Sequence, residues 1–465
     1  MNIAIHTITF ILLVLANGGR HDWAYNVFAL ILWLHAIPIT IELVKKRANI
    51  HCRGPLFWIA AIIIPWAAFI GLFAYALFNP SHQTIYNNLF SPLIPLGHNL
   101  DLPTTPNPAR SLLFLQFLVG LLFMTLSLLI TPITRKQIRI SLNVVFIFGT
   151  VLAAVGSLMK LTNTKLFLWF IEFREPVAFA TFFYKNHWAY FALLCAGIGM
   201  ALYQYTFKQE KQSGHLPEKS IAYALCTLLI LISIPLAEAR GASLAAIPLA
   251  LTFLYTILKP LLQGRHKIIA IAAFLLCAAI TLGSFYKIVA PQFERAVSRS
   301  EKQLHDYELN KLGSVKRIAL YRDSWTMIQA KPIWGWGIGS FIHIHPIYAD
   351  QVFYQKGAAY PVAYEFCHSE YLESVAEMGL AGSALLLLPF GFLFLGLTKK
   401  ANWKNPIGFG LILGSALVLA TAAIDFTLSS PAIAMGVLFC ATLGLRYSLL
   451  SNRMRVPNGT APLQT

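Results

Sequence analysis

Residues 111–130 read SLLFLQFLVGLLFMTLSLLI, twenty positions without a charge. A helix rises about 1.5 Å per residue, so this stretch matches the roughly 30 Å of a bilayer's hydrocarbon core. The same character recurs along the chain in Ile3–Asn17, Trp23–Val44, Phe57–Phe78, Ile140–Met159, Trp188–Phe207, Ser220–Ala239, Ser243–Leu262, Ile268–Tyr286, Met378–Leu397, Pro406–Asp425 and Pro431–Leu450. The chain of 465 residues therefore reads as all-α, one polytopic membrane domain over 1–465 with about twelve transmembrane helices. Composition agrees: 57% of residues are hydrophobic and 12% charged, far too few charges to cover a soluble protein of this size. The first block is short. It lacks the basic lead and the small-residue cleavage site of a signal peptide, so it reads as a span.

Lys and Arg set the orientation. With a cytoplasmic N-terminus, the segments on that side hold 19 Lys and Arg, counting Arg446 near the inner end of the last span. The short segments opposite hold seven, and the long loop, which this rule does not weigh, holds ten. Both termini are then cytoplasmic. The net charge of +17 is mostly this topogenic signal and does not point to nucleic acid. Of six cysteines only Cys367 faces the oxidising side, so no intrachain disulfide is expected there.

Two outer segments interrupt the spans. Asn79–Arg110 is rich in proline and reads as an irregular surface loop. The longer loop, 287–371, carries helical patterns at Pro291–Asn310 and Ser314–Ala330, then the run Trp334-Gly-Trp-Gly-Ile-Gly339. That run has no strand–helix setting, so it reads as a tight aromatic turn rather than a nucleotide loop. A loop of this length with its own periodic segments is usually functional.

Four features carry candidate chemistry. Arg240 stands at the outer end of a span in Glu238-Ala-Arg-Gly241. Arginines there often snorkel to headgroups, but a guanidinium fork also suits a diphosphate, with Glu238 orienting or partly neutralising it. In Ser314–Ala330 the residues Ile318, Tyr321, Trp325 and Ile328 recur at helical spacing as an apolar face flanked by Arg317 and Arg322. The bland alternative is a helix lying on the membrane with its arginines on lipid phosphate. His368 precedes Ser369, a plausible cap for the helix that follows, and the helix's positive end favours a neutral imidazole able to act as a base. A metal site from His343, His345, His368 and Glu370 is a weaker option, because no helical His pair or Cys pair supports it.

The order Arg317…Lys331-Pro-Ile-Trp-Gly-Trp-Gly-Ile-Gly339…His368-Ser-Glu…Glu377-Met-Gly-Leu-Ala-Gly382 resembles the shared core of O-antigen ligases and O-antigen polymerases. Arg240-Gly241, Asn186-His187 and Asp425-Phe426 look similar too, and the likeness covers roughly 180–440. The resemblance implies a membrane-embedded glycosyltransferase bundle of the GT-C-like kind. It implies a donor glycan on undecaprenyl diphosphate and no metal or other cofactor. Its acceptors are lipid A core, a glycan or a pilin protein, or a second lipid-linked unit in polymerases. It implies a bacterial inner-membrane protein with a periplasmic site. Carried over by position, Arg240 and Arg317 hold the diphosphate and His368 activates the acceptor hydroxyl. Arg322, Asn186, His187 and Glu370 bind substrate. Many members have Asn directly after the His; here it is Ser369. A flippase or transporter is the rival of another class. Such proteins place ionisable groups at the bilayer midplane, whereas these spans are nearly charge-free.

Overall fold

Twenty apolar residues in a row satisfy their backbone polar groups only as helix once water is absent, and the chain obeys this rule. The computed structural model describes residues 2–45, 53–84, 93–95, 102–162, 164, 166–167, 171–172, 178–214, 216–262, 298, 316–350, 353–354, 361, 363–398 and 405–453. Helices run over α1 (Asn2–Leu15), α2 (Asp22–Trp33), α3 (Ala36–Lys45), α4 (Arg53–Ala76), α5 (Pro108–Ile130), α6 (Arg135–Leu161), α7 (Lys185–Ser213), α8 (Glu218–Leu236) and α9 (Arg240–Leu262). They continue as α10 (Lys316–Ala330), α11 (Phe341–Tyr348), α12 (Glu370–Thr398), α13 (Pro406–Thr421) and α14 (Pro431–Arg453). Among the described residues eight helices are long and apolar enough to cross a membrane, and three shorter apolar ones are Ile3–Leu15, Ala60–Ala76 and Pro406–Thr421. The protein is thus an all-α polytopic membrane protein. The predicted span Ile268–Tyr286 lies outside the described residues, as does the pattern at 291–310 apart from residue 298.

The second block is broken between α2 and α3. Pro38 lacks an N–H and its ring would meet the Leu34 carbonyl, so the helix turns at Leu34 and His35. The loop before α5 is less irregular than its composition suggests: His82–Thr84 (β1) pairs antiparallel with Leu93–Pro95 (β2). A second small pair joins Leu166–Phe167 (β3) and Ile171–Glu172 (β4).

The centre of the bundle is α7, whose residues His187–Tyr203 are all buried. It meets α13 backbone to backbone. A Cβ on Gly197 would stand 2.7 Å from the Gly410 oxygen and 3.0 Å from the Gly414 Cα, so small residues set this close approach. At one end Arg446 donates to the Leu129 and Thr131 carbonyls at 2.7 and 3.1 Å. There too the Arg139 guanidinium lies over the Tyr205 ring. At the other end the Ser430 hydroxyl donates to the Gly18 carbonyl at 2.9 Å.

The long loop docks on a break in α12. Gly379 has φ 66° and ψ −179°, a conformation open in practice only to glycine. Across that break Leu380 N donates to the Pro332 carbonyl at 2.8 Å and Gly337 N to the Glu377 carbonyl at 2.6 Å. The Glu377 carboxylate accepts from the amides of Gly339 and Phe341, both at 2.8 Å. The Trp334–Gly339 run is therefore a tight turn, as its composition suggests. A side chain at 379 would collide with the Ile333 carbonyl. Gly379→Ala should lower the melting temperature of the detergent-purified protein by several degrees, whereas Gly71→Ala, in open space inside α4, should not lower it. Equal melting curves for the two variants would contradict the docking.

Candidate active site

One end each of α7, α12, α13 and α14 converges on one carboxylate. Asp425 lies in the α13–α14 connector, almost wholly buried. It accepts from Asn186 Nδ2 at 2.5 Å and from the Tyr190 hydroxyl at 2.6 Å, both on α7. His368 Nδ1 stands 3.3 Å from its other oxygen. Burial alone would push this carboxyl up. The hydrogen bonds from His368, Tyr190 and Asn186 outweigh that and hold it below its usual 3.8. The carboxylate accepts, so Nδ1 donates to it, and in the neutral ring this leaves the lone pair on Nε2.

His368 has φ +60°, a left-handed conformation that costs an L-residue on the order of 1 kcal/mol. Three bonds fix it there. Tyr321 on α10 donates its hydroxyl to the His368 carbonyl at 2.9 Å, and Cys367 N donates to Glu373 at 2.7 Å. Asp425 holds the ring. Ser369 does cap α12, loosely, with Oγ 3.5 Å from Leu372 N. The helix end that sequence suggested as the histidine's electrostatic partner is thus joined by a closer one, the Asp425 carboxylate.

Aromatic rings frame this dyad. Phe426 stacks with both Phe366 and Tyr184, each at 4.8 Å between centroids. His368 meets the Phe426 ring edge-on at 5.0 Å. Burial pushes the Tyr184 phenol up, and Asp425 adds to that; Arg317, Arg20 and Arg240 act against it. Those three cations therefore share the field around one ring beside the dyad. Arg317 and Arg240 are both exposed.

The remaining expected residues divide. Asn186 belongs to the Asp425 cluster. His187 is buried, with Nε2 3.1 Å from the Phe426 carbonyl, so it supports the connector. Glu370 accepts from Ser429 N at 2.7 Å and holds the same connector. Arg322 turns away from Tyr321 and pairs with Asp350 at 3.7 Å. The apolar residues of α10 divide: Ile318 and Trp325 are 47% and 55% exposed, while Ala319, Leu320, Asp323, Ser324, Met327 and Ile328 face inward. Glu238 is corrected. Its carboxylate takes Lys160 at 3.1 Å and Lys185 at 3.4 Å, which anchor the turn leading into Arg240. The four residues weighed as metal ligands each take a separate partner, with His343 at Asn107 and His345 at Asp323. Among the described residues no three His, Cys, Asp or Glu side chains converge. Sequence reasoning gave no role to Asp425, Tyr190, Tyr184, Tyr321 or Arg20. Asp425 carried a signal, in the Asp425-Phe426 pair of the resemblance and as a charged residue at the mouth of an otherwise apolar block, and Tyr321 was read only as part of an apolar face.

Residues 225–387 match the family model described as O-Antigen ligase. The chain carries an O-antigen ligase family domain. No curated relative matches the chain. The O-antigen ligase stretch runs from α8 into α12 and contains Arg240, Arg317 and His368. Asn186, His187 and Asp425 lie outside it, yet the fold brings them to His368. The family makes this a glycosyltransferase-type membrane enzyme, with a lipid-linked glycan as donor and a glycan as acceptor at the general level.

Replacing Asn186 by Asp would set a second carboxylate against Asp425. Wild-type Asp425 is depressed, so its contribution to stability is complete above about pH 4 and fades only as pH falls through its folded value. In Asn186→Asp the pair keeps one proton above the usual carboxylate range, while the unfolded chain releases it earlier. The folded state then binds more protons, and stability relative to wild type falls as pH rises from about 5 to about 8. Melting curves across that range check this; a gap that stays constant or narrows would contradict it.

Proposed function

We propose that this protein transfers a glycan from undecaprenyl diphosphate to an acceptor hydroxyl at the periplasmic face of a bacterial inner membrane, with both termini cytoplasmic. The observation that carries the reading is the His368–Asp425 pair, buried at its Asp425 end and part-exposed at its histidine, beside Arg240 and Arg317. His368 Nε2 removes the acceptor's proton as the oxygen attacks the anomeric carbon. The new C–O bond forms while the bond to the diphosphate breaks, and the diphosphate leaves with the electron pair. Arg240 and Arg317 hold it and take up the charge that develops as it departs. Asp425 stabilises the imidazolium that results. One displacement inverts the anomeric carbon. A prenyl diphosphate is already a good leaving group, so the reading calls for no acid and no metal beyond these cations. The matching family's description supports a ligase; lipid A core is an acceptor that the resemblance implies, and a polymerase would use the same dyad on a second lipid-linked unit.

His368→Ala should lower glycan transfer in purified membranes about 10²–10⁴-fold, and Asp425→Asn by a comparable factor because it disturbs the tautomer. Arg240→Lys keeps the charge but loses the fork, so activity should fall sharply at normal membrane abundance. EDTA should leave the wild-type rate unchanged. Wild-type rates in His368→Ala would remove the proposal. A deletion strain complemented with each variant, its glycoconjugates weighed by mass spectrometry, would separate ligase from polymerase products. Orientation has its own check. A Cys placed at Lys211 should resist a membrane-impermeant thiol reagent in intact cells, and a Cys at Arg322 should react; the reverse would invert the topology.

A further inference from the structure

Three arginines reach the neighbourhood of His368 from three different segments. Arg317 lies about one helical turn before Tyr321, which donates to the His368 carbonyl at 2.9 Å. Arg240 follows Glu238, whose carboxylate takes Lys185, the residue after Tyr184, at 3.4 Å. The third is Arg20, in the connector between α1 and α2. Its neighbour His21 meets the Phe183 ring edge-on at 5.7 Å, and a Cβ on Gly18 would stand 3.0 Å from the Phe182 ring. The connector therefore packs on the segment that ends in Tyr184. Arg20 Nη2 donates to Glu365 at 3.3 Å, and Glu365 precedes Phe366, which stacks on Phe426 as Tyr184 does. Tyr184 accordingly feels Arg20 together with Arg317 and Arg240.

Arg20 is held so that it can be released. Its partner Glu365 also accepts from Arg110, at the shorter distance of 3.0 Å. Arg20 is 44% exposed and Arg110 17%, so Arg20 is the outer member of the bridge. An exposed ion pair of this kind is weak. If Arg20 swings away, Glu365 keeps Arg110 and is not left without a partner. Asp22, on the same cleft, stands in the first turn of α2, where the positive end of the helix favours a carboxylate.

The reaction supplies an anion to receive it. In the donor both phosphates are esterified and each carries one negative charge, which Arg240 and Arg317 match. When the bond from the anomeric carbon to the phosphate oxygen breaks, its electron pair stays on that oxygen. The acceptor's proton goes to His368, and a terminal phosphate gives up its last proton only at a pH of about 6, so the leaving diphosphate gains a third charge. We propose that Arg20 exchanges Glu365 for the leaving diphosphate and takes up this third charge, as a catalytic residue beyond His368, Arg240 and Arg317. This rests on the glycan-transfer reading. A contact made only as the charge develops speeds the chemical step without tightening the binding of the donor.

The test uses full-length protein in detergent, with lipid-linked donor and acceptor fractions from a strain deleted for this gene, in single turnovers that read the chemical step. Arg20→Gln should lower the transfer rate about 10²-fold and weaken inhibition by added undecaprenyl diphosphate about 10-fold. The half-saturation constant for the donor and the melting temperature should stay unchanged. Arg20→Lys should recover part of both losses. An unchanged rate or unchanged inhibition in Arg20→Gln would overturn the proposal. So would donor saturation that weakens in step with the rate, which would make Arg20 a binder of the donor before reaction. A bridge that only ties segments together would lower the melting temperature in Arg20→Gln without moving the inhibition, and that too would overturn it. Glu365→Gln removes the competing partner and leaves Arg20 in place, so inhibition by undecaprenyl diphosphate should tighten there. Unchanged or weaker inhibition in Glu365→Gln would overturn the proposal even if Arg20→Gln does not fold. Full activity in His368→Ala would instead sink the transfer reading itself, so the two failures are distinct.

Discussion

A carboxylate out of water is costly unless hydrogen bonds replace its solvation, and Asp425 receives three of them from two different parts of the chain. Asn186 and Tyr190 come from α7, the most buried helix of the bundle. His368 comes from the segment that opens α12. Asp425 itself closes the turn from α13 to α14. Removing any one donor leaves a charge short of partners, so the three segments hold these ends in register together. The candidate base is therefore positioned by the core of the membrane bundle and not by its own loop.

A second constraint acts on His368 from the opposite direction. The break at Gly379 frees backbone groups of α12, and the turn at 332–341 supplies their partners, with Glu377 gathering the amides of Gly339 and Phe341. This docking attaches the long loop to the rigid part of the helix. α10 then lies where Tyr321 can reach the His368 carbonyl, and Arg317, one helical turn earlier, falls on the same side. A left-handed histidine between these two restraints is pre-organised. The base of the proposed transfer would need little rearrangement.

The polytopic helical character was legible because the bilayer asks one simple thing of sequence, a long apolar block, although Pro38 breaks the second block. His368, Arg240 and Arg317 were legible because they are polar residues at block ends, in an order a known family shares. What stayed hidden depends on contacts between distant residues. Asp425 reads as an ordinary charged span end until Asn186 and Tyr190, more than two hundred positions away, are seen to point at it. The buried side of α10 was not legible because it includes Asp323 and Ser324, which pair with His345 and Cys367, while Ile318 and Trp325 of the apolar face are exposed. Periodicity weighs apolar residues and is blind to such satisfied polar ones. Glu238 illustrates the same limit: adjacency to Arg240 suggested a partner, and Lys160 and Lys185 took the carboxylate.

The central claim is that the two arginines and the His368–Asp425 pair address one substrate. The most direct measurement is a structure of the protein in lipid nanodiscs with an undecaprenyl-diphosphate glycan bound. The account predicts diphosphate oxygens about 3 Å from the guanidinium groups of both Arg240 and Arg317, with His368 Nε2 facing the anomeric carbon. A diphosphate seated instead on the outward face of α10 beside Arg322, with His368 turned away from the sugar, would contradict it.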